Sequence, residues 1–334
     1  MIPVIFGLAG PELGVDERAL FQKYPPAGYI LFQRNCVDPD QIRALTAELK
    51  ALAGRDDVPI LIDQEGGRVA RLKPPHWPEF PAARRFAELY ARAPVSALDA
   101  ARFNARAIAE TLRLLGITVD CLPVLDVPVE GAHDIIGDRA YGAEPTQVAA
   151  LGRATLEGLR QGGVVGVVKH IPGHGRARAD SHLELPVVEA SAAELAQDLA
   201  PFTSLADAPM AMTAHVVYTA LDADRCATVS PVVIERVIRG EIGFQGLLMS
   251  DDLGMKALAG SFADKARACL AAGCDVALHC SGDFAEMREI AEAVPAISAP
   301  ARDRLEAAMA WPRRTLPLDV DKLAQRRDAL LALA

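Results

Sequence analysis

The chain has little of what marks a nucleic-acid binder, a membrane protein or a metalloprotein. Its 334 residues carry 35 Lys and Arg against 44 Asp and Glu, a formal net charge of -9. With no basic run interleaved with aromatics, this balance excludes a general nucleic-acid binder. No apolar run approaches the ~20 residues of a membrane span, so no membrane partner is expected. The opening MIPVIFGLAGPELG has no basic n-region and too short an apolar stretch for a signal sequence, so the expected location is cytoplasmic. The six cysteines, Cys36, Cys121, Cys226, Cys269, Cys274 and Cys280, show no CxxC or zinc spacing and read as reduced packing residues. No linker, internal repeat or low-complexity segment divides the chain, and one domain spanning residues 1–334 is expected. No cofactor is implied, and a monomer is the favoured state although nothing in the sequence fixes it.

What is present is alternation. Short runs of Val, Ile and Leu take turns with longer Ala/Leu/Glu/Arg segments of helical period, the pattern of repeated βα units around a parallel sheet. The expected strands are Ile2–Gly7, Gly28–Phe32, Val58–Ile62, Thr118–Val124, Val164–Val168, Met210–Ala214, Gly246–Met249 and Asp275–Leu278. About eight such strands close a barrel, so the fold class is α/β, a (β/α)8 TIM barrel. An open doubly wound sheet would usually carry GxGxxG after its first strand, and GLAGPELG does not fit it. The stretch from about residue 298 to 334 is expected to form helices packed on the outside of the barrel as a cap.

Active sites of such barrels lie at the C-terminal ends of the strands. Polar residues follow the apolar runs there: Gln33-Arg34-Asn35, Asp63-Gln64-Glu65, Asp126, Lys169-His170, His215, Ser250-Asp251-Asp252 and His279. Any one of them is equally well a turn former or cap; Asp252 reads better as a loop-shaping residue and His279 as a satisfied core histidine. Their recurrence after several strands points to one polar mouth. Carboxylates mixed with Arg, Lys and His, without a phosphate loop, suit an uncharged ligand with many hydroxyls.

The segment KHIPGHGRARADSHLELP is the longest irregular stretch after a strand and holds three of the seven histidines. Within it, Asp180 and His182 are two residues apart, so a locally extended chain places both side chains on one side, as an oriented acid/base unit. A zinc site from His170, His174 and His182 is the alternative; the segment lacks HExxH, and Pro172 and Gly173 oppose the helix that motif needs. In LLMSDDLGM, Asp251 stands just past a fully apolar strand, a placement that suits a nucleophile.

Five motifs then carry a resemblance: LIDQEGGRVARL at Leu61–Leu72, GDRAYG at Gly137–Gly142, KHIPGHG at Lys169–Gly175, DSHLELP at Asp180–Pro186 and SDDLGM at Ser250–Met255. In this order they resemble the glycoside hydrolase family 3 β-N-acetylglucosaminidases, specifically the short bacterial enzymes of peptidoglycan recycling. The resemblance implies Asp251 as nucleophile, His182 as acid/base and Asp180 as the residue that orients it. It implies Asp63, Arg71, Arg139, Lys169 and His170 as sugar-binding groups, no metal, and retention through a covalent glycosyl-enzyme. The implied substrate is N-acetylglucosamine β-1,4-linked to anhydro-N-acetylmuramic acid, with or without a stem peptide, which would tie the chain to wall turnover. The family usually carries phenylalanine where Ile171 stands, asparagine where Asp138 stands and phenylalanine where Tyr141 stands; none of these touches the implied chemistry.

A histidine with an unperturbed pKa of about 6.5 suits both proton transfers near neutral pH. Carried on a long loop with several glycines, the dyad is expected to close over substrate. The rival readings are a phosphorylase on the same scaffold, a broader β-glucosidase, a non-catalytic sugar-binding barrel and a metallohydrolase. Arg176 and Arg178 are plausible counter-charges for an anionic substrate, although a solvated loop face is the simpler reading.

Overall fold

In the computed structural model, which describes residues 1–181, 183–313 and 316–334, eight parallel strands close into a barrel. They are β1 (Ile2–Gly7), β2 (Pro26–Leu31), β3 (Ile60–Ile62), β4 (Val119–Asp120), β5 (Val165–Ile171), β6 (Met210–Thr213), β7 (Leu247–Asp252) and β8 (Val276–His279). Each pairs with its neighbour in sequence, and β8 returns to β1 through Val4 against Ala277 and Phe6 against His279. All eight expected strands are present, and the TIM barrel is the fold.

Three strand ends differ from the sequence reading by three residues or more; β7 runs to Asp252 instead of Met249, so Asp251 lies in the strand and not just past it. β4 stops at Asp120 instead of Val124, because the Leu122 N–H turns back to the Asp120 carbonyl and Pro123 has no N–H to continue a ladder. β5 runs three residues further than expected, so Lys169 and His170 belong to the strand and not to the loop after it. The pairing of β5 with β6 shifts register between Lys169 and Ile171. Such an irregularity re-aims side chains, and here the consecutive Lys169 and His170 both line one cavity.

The lumen is packed rather than open. Ile5, Ile30, Leu61, Val119, Val165, Val167, Met210, Leu247, Met249 and Val276 are buried there in one apolar cluster. The outer wall includes α1 (Val15–Lys23), α2 (Pro39–Ala53), α3 (Ala83–Tyr90), α4 (Pro94–Leu114), α5 (Pro145–Gly162), α6 (Ala192–Ser204), α7 (Phe262–Ala272) and α8 (Phe284–Ala293). Many begin with local devices: Pro at the first turn in α2, α4 and α5, and side-chain caps from Asp38, Ser191, Ser261 and Asp283.

The C-terminal segment forms the two expected helices, and they do different work. In α9 (Ala299–Met309), Ala301, Leu305 and Ala308 join the apolar cluster of the lumen, closing the floor opposite the site. There Arg304 and Arg239 grip the two oxygens of Asp275 at 2.7 and 2.8 Å. The last helix, α10 (Val320–Leu331), packs outside on α4, where buried Arg327 donates to Asn104 Oδ1 at 3.0 Å. Among the described residues no helix is long and apolar enough to cross a membrane.

Candidate active site

The cavity at the C-terminal mouth has a volume of about 210 Å³, the scale of a small polar ligand. Its floor is apolar, from Ile30, Met212 and Leu278, and its walls hold Asp63, Glu65, Arg71, Arg139, Lys169, His170, Asp251 and Asp252. Six strand-end residues expected to act on a sugar, Asp63, Arg71, Arg139, Lys169, His170 and Asp251, therefore meet at one place. They come from four different strand ends and the loops that follow them.

Four of the charges on one wall, Asp63, Lys169, Glu65 and Arg139, form a ladder, and Arg71 joins it at Asp63. Lys169 Nζ lies 3.0 Å from Asp63 Oδ1 and 2.6 Å from Glu65 Oε1. Arg71 Nη2 reaches Asp63 Oδ2 at 2.9 Å, and Arg139 forks onto Glu65 with Nε and Nη2 both at 2.8 Å. The fork fixes the guanidinium plane as no single contact would. Lys169 and Glu65 are almost fully buried, at 3% and 4% exposure of their side chains. Burial alone would push both carboxyls up. Lys169 and Arg71 hold Asp63 well below the usual carboxylate range, and Arg139 with Lys169 draws Glu65 down to about 2. Burial would likewise lower Lys169, but Asp63 and Glu65 outweigh it and keep the ammonium charged. Each side chain is thus charged and locked before a ligand arrives, and Lys169 has one N–H beyond those its two carboxylates take.

Asp251 stands at the end of β7, where its Oδ1 accepts from the Asp252 backbone N–H at 2.8 Å. Burial would raise its pKa; the imidazoles of His215 and His170, that N–H and Lys169 together bring it below the ordinary value. The carboxylate is ionised and faces the cavity, the state a nucleophile needs. His215 is completely buried, and burial, as the largest cause, lowers its pKa. Its Nε2 lies 3.0 Å from the Asp252 carbonyl and its Nδ1 2.7 Å from Thr228 Oγ1. A carbonyl can only accept, so the proton sits on Nε2, and His215 pins the backbone next to Asp251.

The loop after β5 is anchored at its root. Gly175 passes so close to the post-β4 chain that a Cβ there would stand 1.9 Å from the Val127 carbonyl oxygen, leaving room for no other residue. Further along, His174 Nε2 is 3.3 Å from Ser181 Oγ, and the Ala257 N–H reaches the Ser181 carbonyl at 3.3 Å. Asp180 does not line the cavity. The expected acid/base, His182, lies outside the described residues. The N–H groups of Leu183 and Glu184 both return to the Asp180 carbonyl, at 2.8 and 3.0 Å. Strand pairing begins only at Val187–Val188, against Val217–Tyr218.

Other strand-end groups are structural. Asn35 accepts from Phe32 N–H and donates to the Leu8 and Gly10 carbonyls, holding its own turn. His279 is buried against Ser281 and Glu286 and does not line the cavity. Asp252 does shape its loop, with Oδ1 accepting from Gly254 and Cys280 N–H groups, and also lines the cavity. The departures from the motif pattern find partners: Asp138 pairs with Arg68 at 2.8 Å, and the Tyr141 hydroxyl meets Thr155 Oγ1 at 2.9 Å. Glu65 and Asp126 were visible in the sequence as polar strand-end residues but not as braces of other side chains. Their partners lie 74 and 44 residues away.

The sequence matches the glycosyl hydrolase family 3 N-terminal domain over residues 10–310. A β-hexosaminidase from Alkalilimnicola ehrlichii is 41% identical over 88% of this chain and 83% of its own length. Another from Methylococcus capsulatus is 38% identical over 98% of this chain and 94% of its own. The crystal structure of NagZ from Neisseria gonorrhoeae, in complex with N-trifluoroacetyl-D-glucosamine, superposes with a TM-score of 0.86 at 32% identity, covering 99% of this chain and 98% of that one. With its closed barrel, its motifs and these relatives in agreement, the chain belongs to glycosyl hydrolase family 3, as a glycoside hydrolase of the β-N-acetylhexosaminidase type.

Proposed function

We propose that this chain removes terminal β-linked N-acetylglucosamine from N-acetylglucosamine-β-1,4-anhydro-N-acetylmuramic acid, with or without its stem peptide, in cytoplasmic cell-wall recycling. The observation that carries the reading is an ionised Asp251 facing the same small cavity as the locked Asp63, Lys169, Glu65 and Arg139 ladder. The ladder, with Arg71 and His170, holds the hydroxyls of the terminal sugar and leaves its anomeric carbon in front of Asp251. Asp251 attacks that carbon while protonated His182, oriented by Asp180, gives its proton to the departing oxygen. Neutral His182 then takes a proton from water, which attacks the same carbon and releases Asp251, so the β configuration is retained. Closure of the loop carrying Asp180 and His182 brings the dyad to the bond.

The test is hydrolysis of 4-nitrophenyl β-N-acetylglucosaminide and of the natural disaccharide, with and without phosphate and chelator, following product configuration. Release of the β sugar, unaffected by chelator and without sugar 1-phosphate, is expected. A sugar 1-phosphate would replace hydrolysis with phosphorolysis, and an inactive protein would favour the binding-barrel reading.

A further inference from the structure

Behind His170 lies a carboxylate that the proposed chemistry does not use. Asp126 follows β4 and is wholly buried. All three of its hydrogen bonds come from the segment that begins at the sugar-binding His170. Oδ1 accepts from the His170 N–H at 3.2 Å and the His174 N–H at 2.6 Å, while Oδ2 lies 2.7 Å from His170 Nδ1. Burial would push this carboxyl up, but His170 and His174 hold it down at about 2, so it is ionised at neutral pH. An ionised carboxylate can only accept, so Nδ1 must donate. When the ring is neutral it has one N–H, and with that spent on Asp126, Nε2 is left with a bare lone pair. Among the described residues nothing bonds to Nε2, and the ring lines the cavity.

We infer that Asp126 is the positioning residue of His170, fixing its imidazole with the proton on Nδ1 so that Nε2 is presented to the ligand as a hydrogen-bond acceptor. Beside it, Lys169 has one N–H to spare after its contacts with Asp63 and Glu65. Consecutive residues thus offer one donor and one acceptor, a pair that fits a hydroxyl, which accepts and donates at once. A carbonyl or ether oxygen satisfies only half of it. This selectivity rests on reading the cavity as a sugar site; the tautomer does not.

The same geometry makes Asp126→Asn an inversion rather than a deletion. Asn Oδ1 keeps the two backbone N–H groups, its amide nitrogen then faces Nδ1 as a donor, and the ring proton is driven to Nε2. The experiment is the imidazole ¹⁵N spectrum of the free protein near pH 8, with the His170 signals assigned by their loss in His170→Gln. Wild type is expected to carry the proton on Nδ1 and Asp126→Asn on Nε2. Activity on the aryl N-acetylglucosaminide should fall about 10- to 100-fold in kcat/KM for Asp126→Asn. It should fall no more than about twofold further when Asp126→Asn is added to His170→Ala. A wild-type ring protonated on Nε2 overturns the assignment, as does full multiplication of the two losses, which would make Asp126 a brace of the loop alone. Should the variant fail to fold, the wild-type spectrum still decides. A correct tautomer in a protein without glycosidase activity would refute the sugar reading and leave the positioning role standing.

Discussion

Two regions of the molecule, the charged ladder that lines the cavity and the loop that follows β5, are built in opposite ways. In the ladder of Asp63, Lys169, Glu65 and Arg139, Lys169 and Glu65 are almost fully buried, and every charge has a partner within 3.0 Å. The segment bearing Asp180 stands on a loop, is partly exposed there, and is tied down around Ser181 by two contacts of 3.3 Å. Recognition needs groups fixed before the ligand arrives, because ordering them afterwards would cost binding energy. In the proposed mechanism, proton transfer falls instead to a residue that approaches once the sugar is seated and withdraws for release. Asp251 belongs with the rigid half: it sits on a strand, and in the proposed mechanism it has only to wait for an anomeric carbon.

This contrast can be broken at either end. The largest effect is expected from Asp251→Ala, which should lower kcat on the aryl N-acetylglucosaminide by about 10³-fold or more while the protein stays folded. Steady-state kinetics with a circular dichroism control would check it. Next, His182→Ala should cost about 10²- to 10⁴-fold on the natural disaccharide, whose leaving group needs a proton, and much less on the 4-nitrophenyl sugar. Equal losses on both substrates would remove His182 from proton transfer.

Glu65→Gln attacks the rigid half by leaving Lys169 and Arg139 underpaired in a buried place. It should destabilise the fold by about 3 kcal/mol in urea unfolding and raise KM. Since Glu65 is held near pH 2, the stability it confers is complete above its unfolded value of 4.5 and is lost as pH falls from there towards 2. The variant should therefore show a flatter acid limb.

His174 sharpens the comparison at the loop root. Burial, more than its neighbour His170, lowers its pKa to about 4, so between about 6.5 and 4 the unfolded chain takes up a proton that the folded one refuses. Stability should rise with pH across that window by up to about 3 kcal/mol, and His174→Gln should remove the slope. The smallest effect is expected from Ser181→Ala, which should lower global stability by about 1 kcal/mol or less but speed amide exchange around Ser181. Unchanged exchange would mean that the His174 contact does not hold the loop.

The barrel was legible because period is a local property: eight apolar runs alternated with helical ones, and each became a strand. Strand ends were less so. Nothing local told that β5 would carry Lys169 and His170 inside a register shift, or that β4 would end before Pro123. Glu65 and Asp126 were expected at the polar mouth but not as braces of other side chains, since a strand-end carboxylate becomes a brace only when a distant Arg or His folds against it.

The measurement that tests the central claim most directly is intact-mass and peptide mapping of His182→Ala after brief exposure to 4-nitrophenyl β-N-acetylglucosaminide. This substrate leaves without help, whereas release of the sugar from the enzyme still needs a base. The account predicts a protein heavier by one N-acetylglucosaminyl group, located on the peptide containing Asp251. The group on any other residue, or turnover with no bound sugar at any time, would contradict it.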